Sequence, residues 1–354
     1  MAQGDITRTA RLVSPVLHGG DLDAARAAFP GAPEPWLDLS TGINPVPYPL
    51  PPLPDAAWAR LPGREALASL EETARIAYAA APEVCVVAAP GSQALIQLLP
   101  RLVTPARVSV LHPTYGEHAP AWAAAGHSVV EVSDPAACAE ADVVVITQPN
   151  NPDGRVLPPD VLMDLERRAA EAVRVGRDGL LVIDEAFADV MPGASHVGRL
   201  ASAGRAVVLR SFGKFFGLAG IRLGFALTAD TELAGRLRAL LGPWAVSGPA
   251  IAVGTAALAD LAWQAATRMK LEQAAARLDA LFTGAGFAVR GGTPLFRLME
   301  SEAASGWYDV LGRRGILVRR FPDQPTRLRI GLPGGEPEWA RLADALSSCA
   351  PTVR

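Results

Sequence analysis

Cysteine is scarce in this chain: Cys85, Cys138 and Cys349 are the only three in 354 residues. Their scatter leaves no disulfide framework and no Cys-x-x-Cys metal motif, so a reducing compartment fits and no metal is expected. Charge of one sign is lacking too. Thirty-three Lys and Arg stand against 36 Asp and Glu, a formal net charge of -3 without like-charge blocks. That balance speaks against a nucleic-acid binder or a polybasic membrane binder and leaves a small molecule as the expected partner. No apolar run reaches the roughly 18–20 residues of a membrane-spanning helix. Met1 to Val13 alternates polar and small residues without the apolar centre of a signal peptide, so the chain is expected to be cytoplasmic. There is no Gly-x4-Gly-Lys-Ser/Thr loop and no Gly-x-Gly-x-x-Gly loop, so neither ATP nor NAD is indicated. Internal repeats and low-complexity tracts are absent as well.

What is present is apolar. Half of the residues are hydrophobic, 19% are charged and the mean hydropathy is +0.20, enough for a large core in one large or two moderate domains. Gly (33) and Pro (31) sit at the ends of apolar runs, where they act as turn punctuation. The first 65 or so residues carry little periodicity. The proline-rich run from Asn44 to Pro52 can be neither regular helix nor central strand, and is expected to wrap over a surface. Beyond it, short Val/Ile/Leu runs at 84–87, 107–111, 128–132, 142–147, 179–183, 206–209 and 224–227 alternate with amphipathic stretches such as 92–103 and 158–175. That alternation predicts an α/β fold with a mostly parallel sheet covered on both faces. From about residue 245 the pattern changes to one long helical stretch over 249–284. Shorter β runs at 287–290, 295–299, 316–319 and 328–332 follow, the mark of a smaller α+β domain. The expected division is an N-terminal arm over 1–45, a large domain over 46–245 and a small C-terminal domain over 246–354.

Ligands of α/β sheets bind outside the carboxyl ends of the strands, so the residues just after each β run carry the chemistry. After 206–209 comes Arg210-Ser211-Phe212-Gly213-Lys214-Phe215-Phe216. A lysine among glycine and phenylalanines is partly desolvated, which lowers its pKa and makes it a competent amine nucleophile toward an aldehyde. Ser211 and Arg222 flank it by -3 and +8 and offer a hydroxyl and a guanidinium fork for a phosphate. After 179–183 comes Asp184, an acid costly to bury unless paired, for example with a pyridinium nitrogen. Read singly, Lys214 is an ordinary loop lysine and Asp184 a helix cap or structural ion pair; the whole Ser-x-x-Lys-x7-Arg string is not so easily explained. Asn151 lies in a Pro- and Gly-fixed turn after 142–147. Gly91-Ser92-Gln93 opens a helix toward an anion, and Tyr115 follows another strand and could lie against a flat ring.

In chain order, Gly91-Ser92-Gln93, Tyr115, Asn151, Asp184, Ser211-x-x-Lys214 and Arg222 resemble the cofactor set of fold-type I pyridoxal-phosphate enzymes, the aspartate aminotransferase superfamily. The resemblance spans nearly the whole chain. It implies pyridoxal 5'-phosphate bonded to Lys214, with Asp184 on the pyridine nitrogen and Asn151 on the ring oxygen. It also implies Tyr115 stacked on the ring and Ser92, Gln93, Ser211 and Arg222 around the phosphate, in a homodimer. His18-Gly19-Gly20, the segment from Leu37 to Pro45 and Pro243-Trp244-Ala245-Val246-Ser247 are similar to the threonine-phosphate decarboxylase family of cobalamin biosynthesis, a relative of the histidinol-phosphate aminotransferases. The latter usually show an Asn-Glu-Asn-Pro segment where this chain has Gly42-Ile43-Asn44-Pro45.

This second resemblance implies decarboxylation of L-threonine O-3-phosphate, with a histidinol-phosphate-type aminotransferase as the alternative. It places substrate on His18, Gly19, Asn44, Arg319 and Arg329, without saying which arginine takes phosphate and which carboxylate. Two departures count against a standard transaminase. Phe187 replaces a common Tyr, removing one hydrogen bond to the ring oxygen. Leu61 replaces the Tyr of an Arg-Tyr-Pro segment that reaches the neighbouring subunit's cofactor phosphate.

Overall fold

The computed structural model describes residues 18–200 and 204–349, so the start from Met1 to Val13 read above for a signal peptide lies outside it. Twelve strands are present among these residues: β1 (Leu37–Leu39), β2 (Cys85–Ala89), β3 (Arg107–Leu111), β4 (Ser128–Val132), β5 (Val143–Thr147), β6 (Leu180–Asp184), β7 (Ala206–Ser211), β8 (Gly224–Thr228), β9 (Ala288–Thr293), β10 (Phe296–Glu300), β11 (Ile316–Arg320) and β12 (Arg327–Gly331). Seven form one sheet in the order β2-β8-β7-β6-β5-β3-β4. Only β8 runs antiparallel to its neighbours; every other pair is parallel. Every residue of β5 and β6 is buried, which is why these strands read as continuous apolar runs rather than alternating ones. The carboxyl ends of β5, β6 and β7 lie side by side, with Thr147 opposite Asp184 and Asp184 opposite Leu209.

The second sheet has the order β1-β11-β12-β10-β9. Strand β1 comes from the segment expected to form an arm. It pairs parallel with β11, Leu37 opposite Ile316 and Leu39 opposite Val318, so both ends of the described chain build this sheet. The proline-rich run then crosses the turn that carries Lys214. The Asn44 N–H donates to the Lys214 carbonyl (2.9 Å) and the Tyr48 N–H to the Phe216 carbonyl (2.8 Å). The expected single helix over 249–284 is two helices, Gly248–Ala259 and Leu261–Gly284. Asp260 breaks them, because its carboxylate caps the second helix by accepting from the Trp263 N–H (2.9 Å). Among the described residues no helix is long and apolar enough to cross a membrane.

Candidate active site

All nine residues expected to hold the cofactor line one cavity of about 710 Å³, open to solvent, at the carboxyl ends of β5, β6 and β7. That size is typical of small-ligand pockets. Lys214 reaches it because Phe212, Phe215 and Phe216, around the single turn Phe212–Phe215, are buried in the core and turn the remaining side chain outward. Burial lowers the Lys214 pKa from its ordinary 10.5 to about 8, helped by the nearby Arg329 and Arg222 guanidinium groups and opposed by Asp184. Its amine lies 5.8 Å from the centre of the Phe187 ring.

Asp184 ends β6 and is buried. It is the only acid lining this cavity among the described residues. Its Oδ1 accepts from the Ala186 N–H (3.1 Å) and its Oδ2 from the His118 Nε2–H (2.9 Å). His118 is itself buried, edge-on to Tyr115 at 5.9 Å. Opposite the acid, Arg222 adopts φ +53°, a left-handed conformation that ordinary side chains rarely take. This brings its guanidinium to the Gly91 turn (φ +86°), where a Cβ on residue 91 would stand 3.0 Å from Arg222 Nη2. The Tyr115 hydroxyl donates to Gln93 Oε1 (3.0 Å), and burial, with the Glu117 carboxylate, pushes its pKa up to about 12. A half-buried amine, an acid tied at the far end, and an arginine with Ser92, Gln93 and Ser211 hydroxyl and amide groups fit an aldehyde, a cationic ring nitrogen and a phosphate. That donor set suits pyridoxal phosphate.

A second cavity of about 800 Å³ shares Tyr115, Asn151, Phe187 and Lys214 with the first and adds His18, Gly19, Arg319 and Arg329. Arg329 comes from β12 and is buried. Its Nη1–H donates to Asn151 Oδ1 (2.6 Å) and its Nη2–H to the Ser40 carbonyl (2.6 Å), while Nε has no partner among the described residues. Burial, then the neighbouring Arg319, pushes its pKa down to about 10. Arg319, the last residue but one of β11, lies nearby, and burial lowers its pKa as well. Of the expected substrate residues, Asn44 alone lines neither cavity. Its amide donates to the Phe215 carbonyl (2.9 Å) and accepts from the Val46 N–H (3.0 Å), fixing the chain beside the Lys214 turn.

The profile of the family Aminotransferase class I and II matches residues 58–346. The chain belongs to the class I and II aminotransferase family. Within that family it is 44% identical to a threonine-phosphate decarboxylase of a Sinorhizobium species over 336 residues, 94% of this chain and 98% of the relative. It is 43% identical to a threonine-phosphate decarboxylase of Pseudomonas aeruginosa strain PAO1 over 332 residues, 93% of this chain and 96% of the relative. Its fold is that of a histidinol-phosphate aminotransferase from Clostridium acetobutylicum, with TM-score 0.77, 22% identity and coverage of 89% of this chain and 99% of that one.

Two residues of this class I and II aminotransferase site escape a reading of strand ends. His118 holds Asp184, and Gly42 makes room for Phe187. A Cβ on Gly42 would meet Phe296 at 2.8 Å and Phe187 at 2.9 Å. The only sequence signal for His118 is its position three residues after Tyr115, one helical turn on.

Proposed function

We propose that this chain decarboxylates L-threonine O-3-phosphate to (R)-1-amino-2-propanol O-2-phosphate and carbon dioxide, with pyridoxal 5'-phosphate held at Lys214. The observation that carries this reading is the second cavity, where two arginines and a histidine face one wall of a space that Lys214 also lines. A substrate with a carboxylate and a phosphate suits such a set, and the relatives at 43–44% identity bear the matching name.

When bound, the cofactor supplies a sink for the electron pair released at Cα. The chain's own residues do the rest. Asp184, oriented by His118 and the Ala186 N–H, presents its carboxylate to the ring nitrogen. Ser92, Gln93, Ser211 and Arg222, beside Gly91, would hold the cofactor phosphate, and Tyr115 and Asn151 would bind its ring. Arg329, the more deeply buried of the two arginines, would take the substrate carboxylate. Arg319 and His18 take the phosphate, and Gly19 keeps the backbone close over it. Asn44 acts at one remove by fixing the turn of Lys214. By holding the substrate carboxylate, Arg329 would decide which group on Cα is presented for release, and with it the choice between decarboxylation and amino transfer. Lys214, with a pKa near 8, then returns a proton to Cα. Phe187 offers that atom no competing donor.

The same proposal keeps the division into arm (1–45), large domain (46–245) and small domain (246–354), and places the chain in the cytoplasm, in cobalamin biosynthesis, as a homodimer. Large apolar side chains at Val46, Leu50, Trp58, Leu61 and Trp244 are 57–69% exposed, which suits burial against a second copy. Sedimentation as a monomer at micromolar concentration would remove that part. The deciding experiment supplies the purified protein with pyridoxal phosphate and L-threonine O-3-phosphate, with Lys214→Ala as control. Carbon dioxide release without a 2-oxo acid, absent in the variant, is the expected result. Glutamate formation from histidinol phosphate and 2-oxoglutarate, without carbon dioxide release from the phosphothreonine, would move the chain to the aminotransferases.

A further inference from the structure

We infer that Glu117 is a positioning residue for the phosphate end of the substrate, acting through His18. The inference rests on the reading of the second cavity as a phosphomonoester site.

His18 stands at the mouth of that cavity with its side chain 47% exposed, on a segment that precedes the short helix Leu22–Ala28. An imidazole so exposed samples several rotamers unless something holds it. What holds it is Glu117, whose Oε1 accepts from the His18 Nε2–H at 2.8 Å. The His18 ring also lies 6.1 Å from that of Tyr115, tilted by 51°. With Nε2 committed to a carboxylate, Nδ1 is the ring nitrogen left to meet a ligand, and the bond to Glu117 fixes the direction in which it points.

Glu117 faces neither cavity, so its effect on substrate passes through its partners. Its second oxygen receives a long hydrogen bond from Gln93 Nε2 (3.5 Å), and Gln93 Oε1 accepts from the Tyr115 hydroxyl (3.0 Å). Tyr115, Gln93, Glu117 and His18 thus form a chain that starts in the cofactor cavity and ends over the phosphate end of the second. The ordinary structural explanation for an acid here is a helix cap, since Glu117 occupies the N-cap position of helix His118–Ala124. Its side chain makes no capping hydrogen bond. The carboxylate is spent on His18 and Gln93 instead. Those donors also offset its charge, which would otherwise repel an anion arriving between Arg319 and Arg329.

The test is a double-mutant cycle on the full-length holoenzyme. Inorganic phosphate is titrated calorimetrically into the wild type, Glu117→Ala, His18→Ala and the double variant, with the absorption spectrum of the bound cofactor recorded for each. Glu117→Ala is expected to weaken phosphate binding about ten-fold, the scale of one charge-assisted hydrogen bond. In the His18→Ala background the same change is expected to add less than about two-fold. Glu117→Gln, which keeps an acceptor for His18 and survives if the alanine variant fails to fold, is expected to fall between wild type and Glu117→Ala. The KM for L-threonine O-3-phosphate is expected to rise in the same order, with the larger share of the loss in KM rather than kcat, and with an unchanged cofactor spectrum. Additive effects of the two alanine substitutions, or tighter phosphate binding in Glu117→Ala, would overturn the inference while leaving the proposed function standing. A wild type that decarboxylates phosphothreonine but binds no phosphate at this site overturns it too. A wild type that does neither removes both readings.

Discussion

Arg210 is the side chain whose loss has the most sharply defined physical consequence. It lies one residue before Ser211, buried beneath the site. Its Nη1–H donates to Glu185 Oε2 (2.7 Å), its Nη2–H to Asp189 Oδ1 (2.5 Å), and its guanidinium sits 4.2 Å over the Tyr78 ring. Glu185 and Asp189 are buried as well, so Arg210→Met leaves two carboxylates facing each other without their counter-charge. Removing one partner of a buried ion pair costs about 3–5 kcal/mol. Arg268 remains, but its Nε–H goes to the Asp189 backbone carbonyl (2.7 Å) and replaces little of that. At about 2 °C per kcal/mol for a chain of this size, Tm is expected to fall roughly 6–10 °C. The deficit also has a pH sign. Burial raises the Glu185 pKa above the ordinary carboxylate value, against the pull of Arg210 and of bonds from the His196 N–H and Ser195 hydroxyl. Without Arg210 the acid is raised further, so between its unfolded and folded pKa values the unfolded chain binds fewer protons and stability falls as pH rises. Differential scanning calorimetry at pH 5 and pH 8 reads both effects, with the larger loss at pH 8. Adding Glu185→Gln and Asp189→Asn to the variant is expected to recover more than half of the loss. A Tm within about 2 °C of wild type, or a deficit larger at pH 5, would refute the reasoning.

Two further predictions concern the cavity. With a Lys214 pKa of about 8 in place of 10.5, about a tenth of the amine is neutral at pH 7 rather than a few parts in ten thousand. The rate at which cofactor-free protein takes up pyridoxal phosphate is therefore expected to climb from pH 7 through an inflection near pH 8 and level off above about pH 9; an inflection near pH 10, measured by stopped-flow absorbance, would contradict the desolvation argument. Gly42→Ala drives a methyl group to within 2.8–2.9 Å of the Phe296 and Phe187 rings, an overpacking expected to cost about 1–3 kcal/mol. Because Phe187 also borders Lys214, the uptake profile is expected to shift toward higher pH as water gains access; an unchanged Tm together with an unchanged profile would show that residue 42 has room.

The large sheet was legible because its strands are buried on both faces and so stand out as unbroken Val, Ile and Leu runs, 143–147 most clearly. Leu37–Leu39 was not. A strand of three residues is too short to show a period, and its partners at Ile316–Val318 lie far along the chain. The break at Asp260 was equally silent, since Ala and Leu continue on both sides and a single cap residue decides it. In the site, the strand-end rule led to Lys214, Asp184, Asn151 and Tyr115, which all line the first cavity. It missed His118 and Glu117, which touch other side chains, because nothing in the spacing marks a residue that acts through another. Asn44 shows the reverse case. A motif position suggested substrate contact, whereas its amide is taken up by the Phe215 carbonyl and the Val46 N–H.

That distinction bears on why decarboxylation and amino transfer look so alike in sequence. Lys214 and Asp184 are fixed by the large sheet, whereas Arg319 and Arg329 are carried by β11 and β12 of the small one. The placement of Arg329 relative to Lys214 therefore depends on how the two sheets meet. They meet at the turn that holds Asn151. The Gly292 N–H of β9 donates to the Asp153 carbonyl (2.8 Å), and Arg329 donates to Asn151 (2.6 Å). Neither a Cβ on Gly154, 1.9 Å from the Gly292 carbonyl oxygen, nor one on Gly291, 2.2 Å from that of Asp153, fits this contact. Backbone packing between the sheets thus fixes where Arg319 and Arg329 stand relative to Lys214 and Asp184. A motif confined to one sheet cannot encode that placement.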